Sequence, residues 1–328
     1  MSGSSSVMPK YTEVGEGIYA VDTEYMRPLM DASHLIVDKG EAAYVDTGTS
    51  LSVSNLLAAL ADIGLDVSAV TAVFLTHIHL DHAGGAGELM RHLPNARAYI
   101  HPRGAPHMHE PEKLIAGTIA VYGEALYHAT YGEIVPIEKA RIVEVTDGMR
   151  VTVGTREFEL IHTPGHALHH YCLVDQSAEL VFTGDTFGVS YRETDTGKGA
   201  FIIPTTTPVH FDPDAAHASI DRIMSYAPKS AYLTHYSRVT DLERLAGDLH
   251  EGLDRYVHIC QDCEDADDRV RAIFERLTDY VFGRLDEHGY DGDYDARSSI
   301  LKGDLMLNAQ GLDVWLKRLA KQRARAEV

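Results

Sequence analysis

The stretch Thr76-His77-Ile78-His79-Leu80-Asp81-His82-Ala83-Gly84-Gly85 constrains this chain more than any other. Three imidazoles and one carboxylate fall between His77 and His82, directly after the apolar run Ala72-Val73-Phe74-Leu75. Imidazole nitrogen and carboxylate oxygen are ligands that zinc, iron and manganese take from proteins, so four of them on one short turn point to a metal between them. A buried strand over residues 70–75 that ends in such a turn carries these side chains to the edge of a sheet, where α/β proteins keep their sites. Side chains alternate along an extended segment, so His77, His79 and Asp81 are expected to point one way, leaving His82 for a second position. A solvated His-rich loop is the plain alternative in a chain with 19 histidines, but it accounts poorly for this motif between an apolar strand and a Gly-rich turn.

The same arrangement recurs three times. Thr163-Pro164-Gly165-His166 follows Leu160-Ile161, Thr183-Gly184-Asp185-Thr186 follows Leu180-Val181-Phe182, and Thr234-His235-Tyr236 follows Ala231-Tyr232-Leu233. In each case a Thr shortly precedes a residue able to bind metal, and a sheet is expected to present the set along one rim. The spacing predicts short antiparallel strands over residues 10–50, with Asp38-Lys39-Gly40 as a hairpin turn. A helix from Ser50 to Ile63 follows, with Leu51, Leu56, Leu57 and Leu60 on related faces, and then alternating strands and helices that imply a helix-covered sheet. Residues 104–137 read as a helical, aromatic and His-rich insert, either a lid or packing helices. Residues 187–212 form a long Gly/Thr/Pro-rich connection of the kind that shapes a site. From Asp241 onward the pattern is helical, over Asp241 to Gln261, Asp265 to His288 and Leu312 to Arg325. The expected division is a disordered tail over 1–9, a metal-binding domain over 10–240 and a helical region over 241–328.

A formal charge of −20 disfavours nucleic acid and anionic membranes as partners. No apolar run is long enough to span a bilayer, and the Ser/Gly-rich start lacks the marks of a signal peptide, so a cytoplasmic protein is expected. Three cysteines make no disulfide framework. Cys172 reads as a buried small hydrophobe in a strand, and Cys260 and Cys263 as two cysteines on a helix face, since a structural zinc site would need two more ligands nearby.

On the motifs T-H-x-H-x-D-H at Thr76 to His82, T-P-G-H at Thr163 to His166, T-G-D-T at Thr183 to Thr186 and the late His235, the chain resembles the metallo-β-lactamase superfamily, and within it the glyoxalase II and N-acyl-homoserine lactonase branch. The resemblance runs from about residue 10 to 240. It implies an α/β fold, an αββα sandwich with a C-terminal helical appendage. It also implies two divalent metal ions, zinc first with iron or manganese as substitutes, one on His77, His79 and His166 and the other on Asp81, His82 and His235, with Asp185 bridging. His170 keeps a second His of the glyoxalase pattern, while Ala167 and His169 depart from it, and His170 is assigned to supporting the ligands. No match to the basic glutathione-contacting residues of glyoxalase II is found.

The reaction implied is hydrolysis of a small thioester, ester or lactone, with Asp81 orienting the nucleophile or accepting its proton. Tyr191, His210 and Tyr236 are candidates for stabilising the oxyanion or protonating the leaving atom. A small-molecule substrate is the expected partner, and a homodimer is compatible with the sequence. The competing readings are a mononuclear iron persulfide-type dioxygenase, a phosphodiester hydrolase and a non-catalytic metal-dependent sensor.

Overall fold

The computed structural model describes residues 10–15 and 17–326, so the expected tail over 1–9 lies outside the described residues. The alternating start of the chain builds β1 (Tyr11–Gly15), β2 (Ile18–Asp22), β3 (Ala32–Asp38) and β4 (Glu41–Val45), each antiparallel to the one before. Lys39 and Gly40 close the β3–β4 hairpin with φ of 49° and 85°, the left-handed pair that a tight hairpin turn requires. Parallel pairing needs a crossover, and helices supply it. α1 (Val53–Asp62) returns the chain so that β5 (Val70–Leu75) pairs parallel with β4. α2 (Leu80–Ala83) and α3 (Ala86–His92) lead to β6 (Arg97–Ile100). The insert α4 (Ala105–His109), α5 (Glu112–Tyr122) and α6 (Glu124–Tyr131) precedes β7 (Ile142–Glu144). The first sheet therefore runs β1-β2-β3-β4-β5-β6-β7. Leu35, Tyr44, Val73 and Leu75 of its strands share one core with Leu56 and Leu60 of α1 and with Leu89 and Met90 of α3. Leu51 departs from the expected helical face: Ser50–Ser52 is a separate 3-10 turn, and Leu51 is 59% exposed.

The second sheet is built from β8 (Met149–Val153), β9 (Arg156–His162), β10 (Tyr171–Asp175), β11 (Leu180–Gly184), β12 (Ser230–Leu233) and β13 (Ser237–Val239), in the order β13-β12-β11-β10-β9-β8. α7 (Pro213–Met224) makes the crossover that lets β12 pair parallel with β11. Its start is capped by the Asp212 carboxylate, which accepts from the Ala215 N–H at 3.1 Å. β9 and β11 both run antiparallel to β10, and β12 runs parallel to β11, so β9, β11 and β12 end at one edge of this sheet. The expectation that one sheet presents all four motifs is corrected: three of the motif-bearing strands, β9, β11 and β12, end at one edge of the second sheet, whereas β5 belongs to the first.

The chain closes with α8 (Leu242–Asp262), α9 (Arg269–His288) and α10 (Tyr294–Ala326). α10 begins well before the expected Leu312, because Gly303, Asn308 and Gly311 obscure the apolar period that announces a helix. Cys260 lies in α8 and Cys263 just past it, both buried. The Cys260 thiol donates to the Leu312 carbonyl at 3.3 Å, and burial pushes it up to about 12, so it stays protonated. Residue contacts divide the chain into two compact units, one of residues up to Val145 with Arg150–Phe158, the other of Thr146–Met149 with Glu159–Val328. Among the described residues no helix is long and apolar enough to cross a membrane.

Candidate metal centre

In the first unit the motif leaves the end of β5 as extended chain through His79, which precedes the one-turn helix α2. Alternation therefore governs His77 and His79 alone; Asp81 and His82 are carried by the helical turn. His77 Nε2 lies 2.9 Å from His79 Nδ1, and His82 Nε2 lies 3.7 Å from Asp81 Oδ2. His77 and His82 are fully buried, while His79 and Asp81 are half-buried.

The orientation of His82, and through Thr76 that of His77, is set by Asp46, just past the end of β4. Its carboxylate accepts from the Thr76 N–H at 2.8 Å, from Thr76 Oγ1 at 2.8 Å and from His82 Nδ1 at 2.8 Å. A carboxylate at neutral pH only accepts, so the Nδ1 of His82 bears the proton and its Nε2 does not. Thr76 spends its hydroxyl proton on Asp46, so at 3.2 Å it accepts from Nδ1 of His77, which leaves Nε2 of that ring deprotonated as well. Asp46 holds a left-handed φ of 58°, a conformation costly for most residues and tolerated by Asp, and its three hydrogen bonds keep it there. The loop after it is tied to the motif, with Thr47 N–H donating to the His82 carbonyl at 2.7 Å and Gly85 N–H to the Gly48 carbonyl at 2.8 Å. A Cβ at Gly85 would stand 2.6 Å from the Thr49 carbonyl oxygen, so this glycine serves close approach.

Leu80, between the two ligand pairs of the motif, packs with Tyr127 and Ile134 of the insert. Tyr131 of α6 stacks on Tyr25 at 6.1 Å between ring centroids, and their hydroxyls are 3.4 Å apart. Burial and the charge of Asp81 hold the Tyr25 phenol well above its usual range, so it remains a proton donor.

In the second unit the ends of β9, β11 and β12 bring His166, Asp185 and His235 together. His166 Nε2 is 3.5 Å from Asp185 Oδ2, and His235 Nε2 is 3.5 Å from Asp185 Oδ1, one carboxylate oxygen to each imidazole. All three are buried. Thr205 Oγ1 donates to the Asp185 carbonyl at 3.0 Å and therefore accepts from His166 Nδ1 at 2.9 Å, which leaves Nε2 of His166 deprotonated on the side of the carboxylate. His170 supports Asp185 from behind: its Nε2 accepts the Asp185 N–H at 3.2 Å, and its Nδ1 faces the hydroxyls of Thr163 at 2.9 Å and Thr186 at 3.0 Å.

The remaining candidates fall as follows. The Tyr191 hydroxyl donates to the Asp304 carboxylate of α10 at 3.1 Å, and its ring meets His235 edge-on at 6.4 Å. Tyr236 is buried and donates its N–H to the Ser190 carbonyl at 3.1 Å. His210 packs edge-on against His169 at 6.2 Å. Asp46, Thr205 and Tyr25 were not found from the sequence. Asp46 carried a signal, an Asp-Thr-Gly after an apolar strand that parallels Thr183-Gly184-Asp185; Thr205 and Tyr25 carried none.

The donors fit a cation. Ligand atoms about 2.0–2.1 Å from a tetrahedral metal stand about 3.3 Å from one another; the separations are 2.9 and 3.7 Å in the first unit and 3.5 Å for both pairs in the second, all within about 0.4 Å of that value. The orienting groups on the far side of His77, His82 and His166 are the arrangement that metal-binding imidazoles use.

The sequence profile of the metallo-beta-lactamase superfamily matches residues 26–235. The chain belongs to this superfamily. Its members are mostly metal-dependent hydrolases and typically bind two metal ions. An atrochrysone carboxyl ACP thioesterase of Aspergillus fumigatus is 32% identical over 117 residues, 36% of this chain and 27% of that protein. A hydroxyacylglutathione hydrolase of Pseudoalteromonas translucida is 31% identical over 117 residues, 36% of this chain and 32% of that protein. The chain thus spans a third or less of the length of either relative. The crystal structure of a metallo-beta-lactamase family protein of Thermus thermophilus has the same fold, with a TM-score of 0.66 at 20% identity, covering 94% of this chain and 95% of that one.

Proposed function

We propose that the protein is a dinuclear metal-dependent hydrolase of a small thioester, ester or lactone. On this reading His77, His79 and His166 would hold one ion, Asp81, His82 and His235 the other, and the Asp185 carboxylate would serve both. The observation that carries this reading is the Asp185 carboxylate, which offers one oxygen to each of two buried imidazoles at 3.5 Å. The relatives named as a thioesterase and as a hydroxyacylglutathione hydrolase favour an acyl substrate. When bound, a pair of divalent ions supplies hydroxide at neutral pH and polarises the oxygen under attack. The chain supplies the rest. Asp46 and Thr205 hold the ring nitrogens in the ligating tautomer, and His170 fixes the backbone that carries Asp185. Asp81, half-buried and so within reach of a substrate, orients the nucleophile and takes up its proton. Tyr25, kept protonated by burial and the charge of Asp81, is the candidate donor to the substrate on this reading. Zinc is the first expectation for the ions, and three free, buried cysteines suit a reducing, cytoplasmic compartment.

The test is metal content per chain on protein purified without added metal, together with turnover of a panel of thioesters, lactones and phosphodiesters. Two ions per chain, with thioester or lactone turnover that falls at least 100-fold in Asp185→Asn, is the expected result. A single iron with oxygen consumption, or two ions with no turnover of any panel member, overturns it.

A further inference from the structure

Outside the seven donors, α7 and α8 bring His217, Asp221, His250 and Asp254 into one cluster. Each helix carries a His and an Asp four residues apart, hence on one face. The contacts cross between helices: His217 Nε2 lies 3.2 Å from Asp254 Oδ1, and His250 Nε2 lies 3.2 Å from Asp221 Oδ1. The two rings have an interplanar angle of 0°, centroids 4.9 Å apart and Nδ1 atoms 2.6 Å apart. Rings stacked face to face keep at least about 3.5 Å between their atoms. The shorter approach therefore sets them edge to edge in a common plane, Nδ1 towards Nδ1. Each Nε2 faces an acceptor-only carboxylate and carries its ring's proton, so the Nδ1 lone pairs of both rings aim at one point. Two lone pairs at that distance repel unless a cation lies between them.

A carboxylate that holds the far N–H of an imidazole is also what orients a metal-binding histidine. We propose that His217 and His250 form a second metal site, taking a divalent transition-metal ion of the zinc, nickel or copper class through their Nδ1 atoms, with water completing the coordination. The two side chains are 27% and 30% exposed, so an ion has access; to hold it at about 2.0–2.1 Å from each Nδ1 the rings turn and part from 2.6 Å towards the ~3.3 Å edge of a tetrahedral site. The ion would fasten α7 to α8. α7 in turn frames the loop that bears His166: the Ser219 hydroxyl donates to the Pro164 carbonyl at 2.5 Å, and a Cβ at Gly165 would stand 2.5 Å from Ala216. Ala216 and Ile220 of α7 and Leu249 and Leu253 of α8 line a small cavity shared with His166.

Equilibrium dialysis against micromolar zinc at neutral pH, with zinc counted per chain, tests this on the full chain and on His217→Ala, His250→Ala and Asp254→Asn. The parent protein is expected to hold one zinc more than either alanine variant, and Asp254→Asn to bind that extra ion about 10–100-fold more weakly. Because the result is a difference between chains, it does not depend on how many ions the other centre holds. If an alanine variant does not fold, His217→Gln and His250→Gln, whose amides still reach the carboxylates, replace it with the same expectation. Equal zinc content in the parent and both histidine variants overturns the proposal and assigns the cation between the rings to a shared proton.

Discussion

At the scale of single residues, the candidate ligands are held by groups on the far side of their rings. Asp46 accepts three hydrogen bonds with two oxygens, and an Asn there has one acceptor oxygen and a donor that meets donors. Asp46→Asn is therefore expected to weaken metal binding about 10–100-fold by releasing the His82 tautomer, and to lower stability by about 1–3 kcal/mol through unsatisfied buried groups. Competition against a chelator and a urea unfolding curve read the two effects separately. Unchanged metal retention would mean that His82 is held by another group. The motif H-x-H-x-D-H was legible because six adjacent residues carry it. Thr205 was not, because a single Thr has no spacing to read, and the Asp-Thr-Gly at Asp46 marks a strand end without naming its partner; only the fold brings Asp46 to His82 and Thr205 to His166.

At the scale of elements, the helix that the sequence obscured most is the one that steadies the loop behind His166. Asn308 of α10 accepts the Thr206 N–H at 2.6 Å and donates its amide N–H to the Pro204 carbonyl at 3.0 Å, on either side of Thr205. A Cβ on Gly311 would stand 1.5 Å from the Thr206 carbonyl oxygen, so this glycine is where the helix backbone meets the loop. Ala normally stabilises a helix interior over Gly by about 0.5–1 kcal/mol. Gly303→Ala, with open space around it, is expected to show that gain, whereas Gly311→Ala on the same helix should lose about 1–3 kcal/mol by overpacking and reduce turnover with it. Thermal unfolding of the two variants beside the parent gives the comparison. Equal shifts of the same sign would refute a loop held by close backbone approach. The strands were legible from their alternation. The first half of α10 was not, because the Gly and Asn that fit the loop are poor helix formers and interrupt the apolar pattern.

At the scale of the whole molecule, the acid limb of stability has an identifiable contributor. His34 is buried in β3, and desolvation pushes its imidazole down to about 4 against the pull of Asp46. In the unfolded chain it titrates near 6.5, so between those values the unfolded state binds the extra proton and stability rises with pH. The neutral ring is fully compatible with folding above about pH 6.5. The cost grows as pH falls towards 4, reaching roughly 3 kcal/mol on a shift of that size. In His34→Gln the unfolding free energy is expected to change less between pH 7 and pH 5 than in the parent, measured in urea at each pH. An identical slope would assign the acid limb to other groups. The net charge of −20 bears on solubility and on which partners approach.

Local sequence was enough to determine most of the strand and helix pattern and the family, and to nominate seven candidate ligands, because each candidate follows an apolar strand inside a short motif and both alternation and spacing are properties of adjacent residues. The two-sheet division of the motif-bearing strands, the carboxylate of Asp46 behind His82, the Thr205 hydroxyl behind His166, the reach of α10 and the head-to-head pair His217 and His250 were decided by tertiary structure. Those contacts join residues 33 to 104 positions apart or opposite ends of a sheet, and they are selected by hydrogen-bond direction and close packing, neither of which leaves a period in the chain.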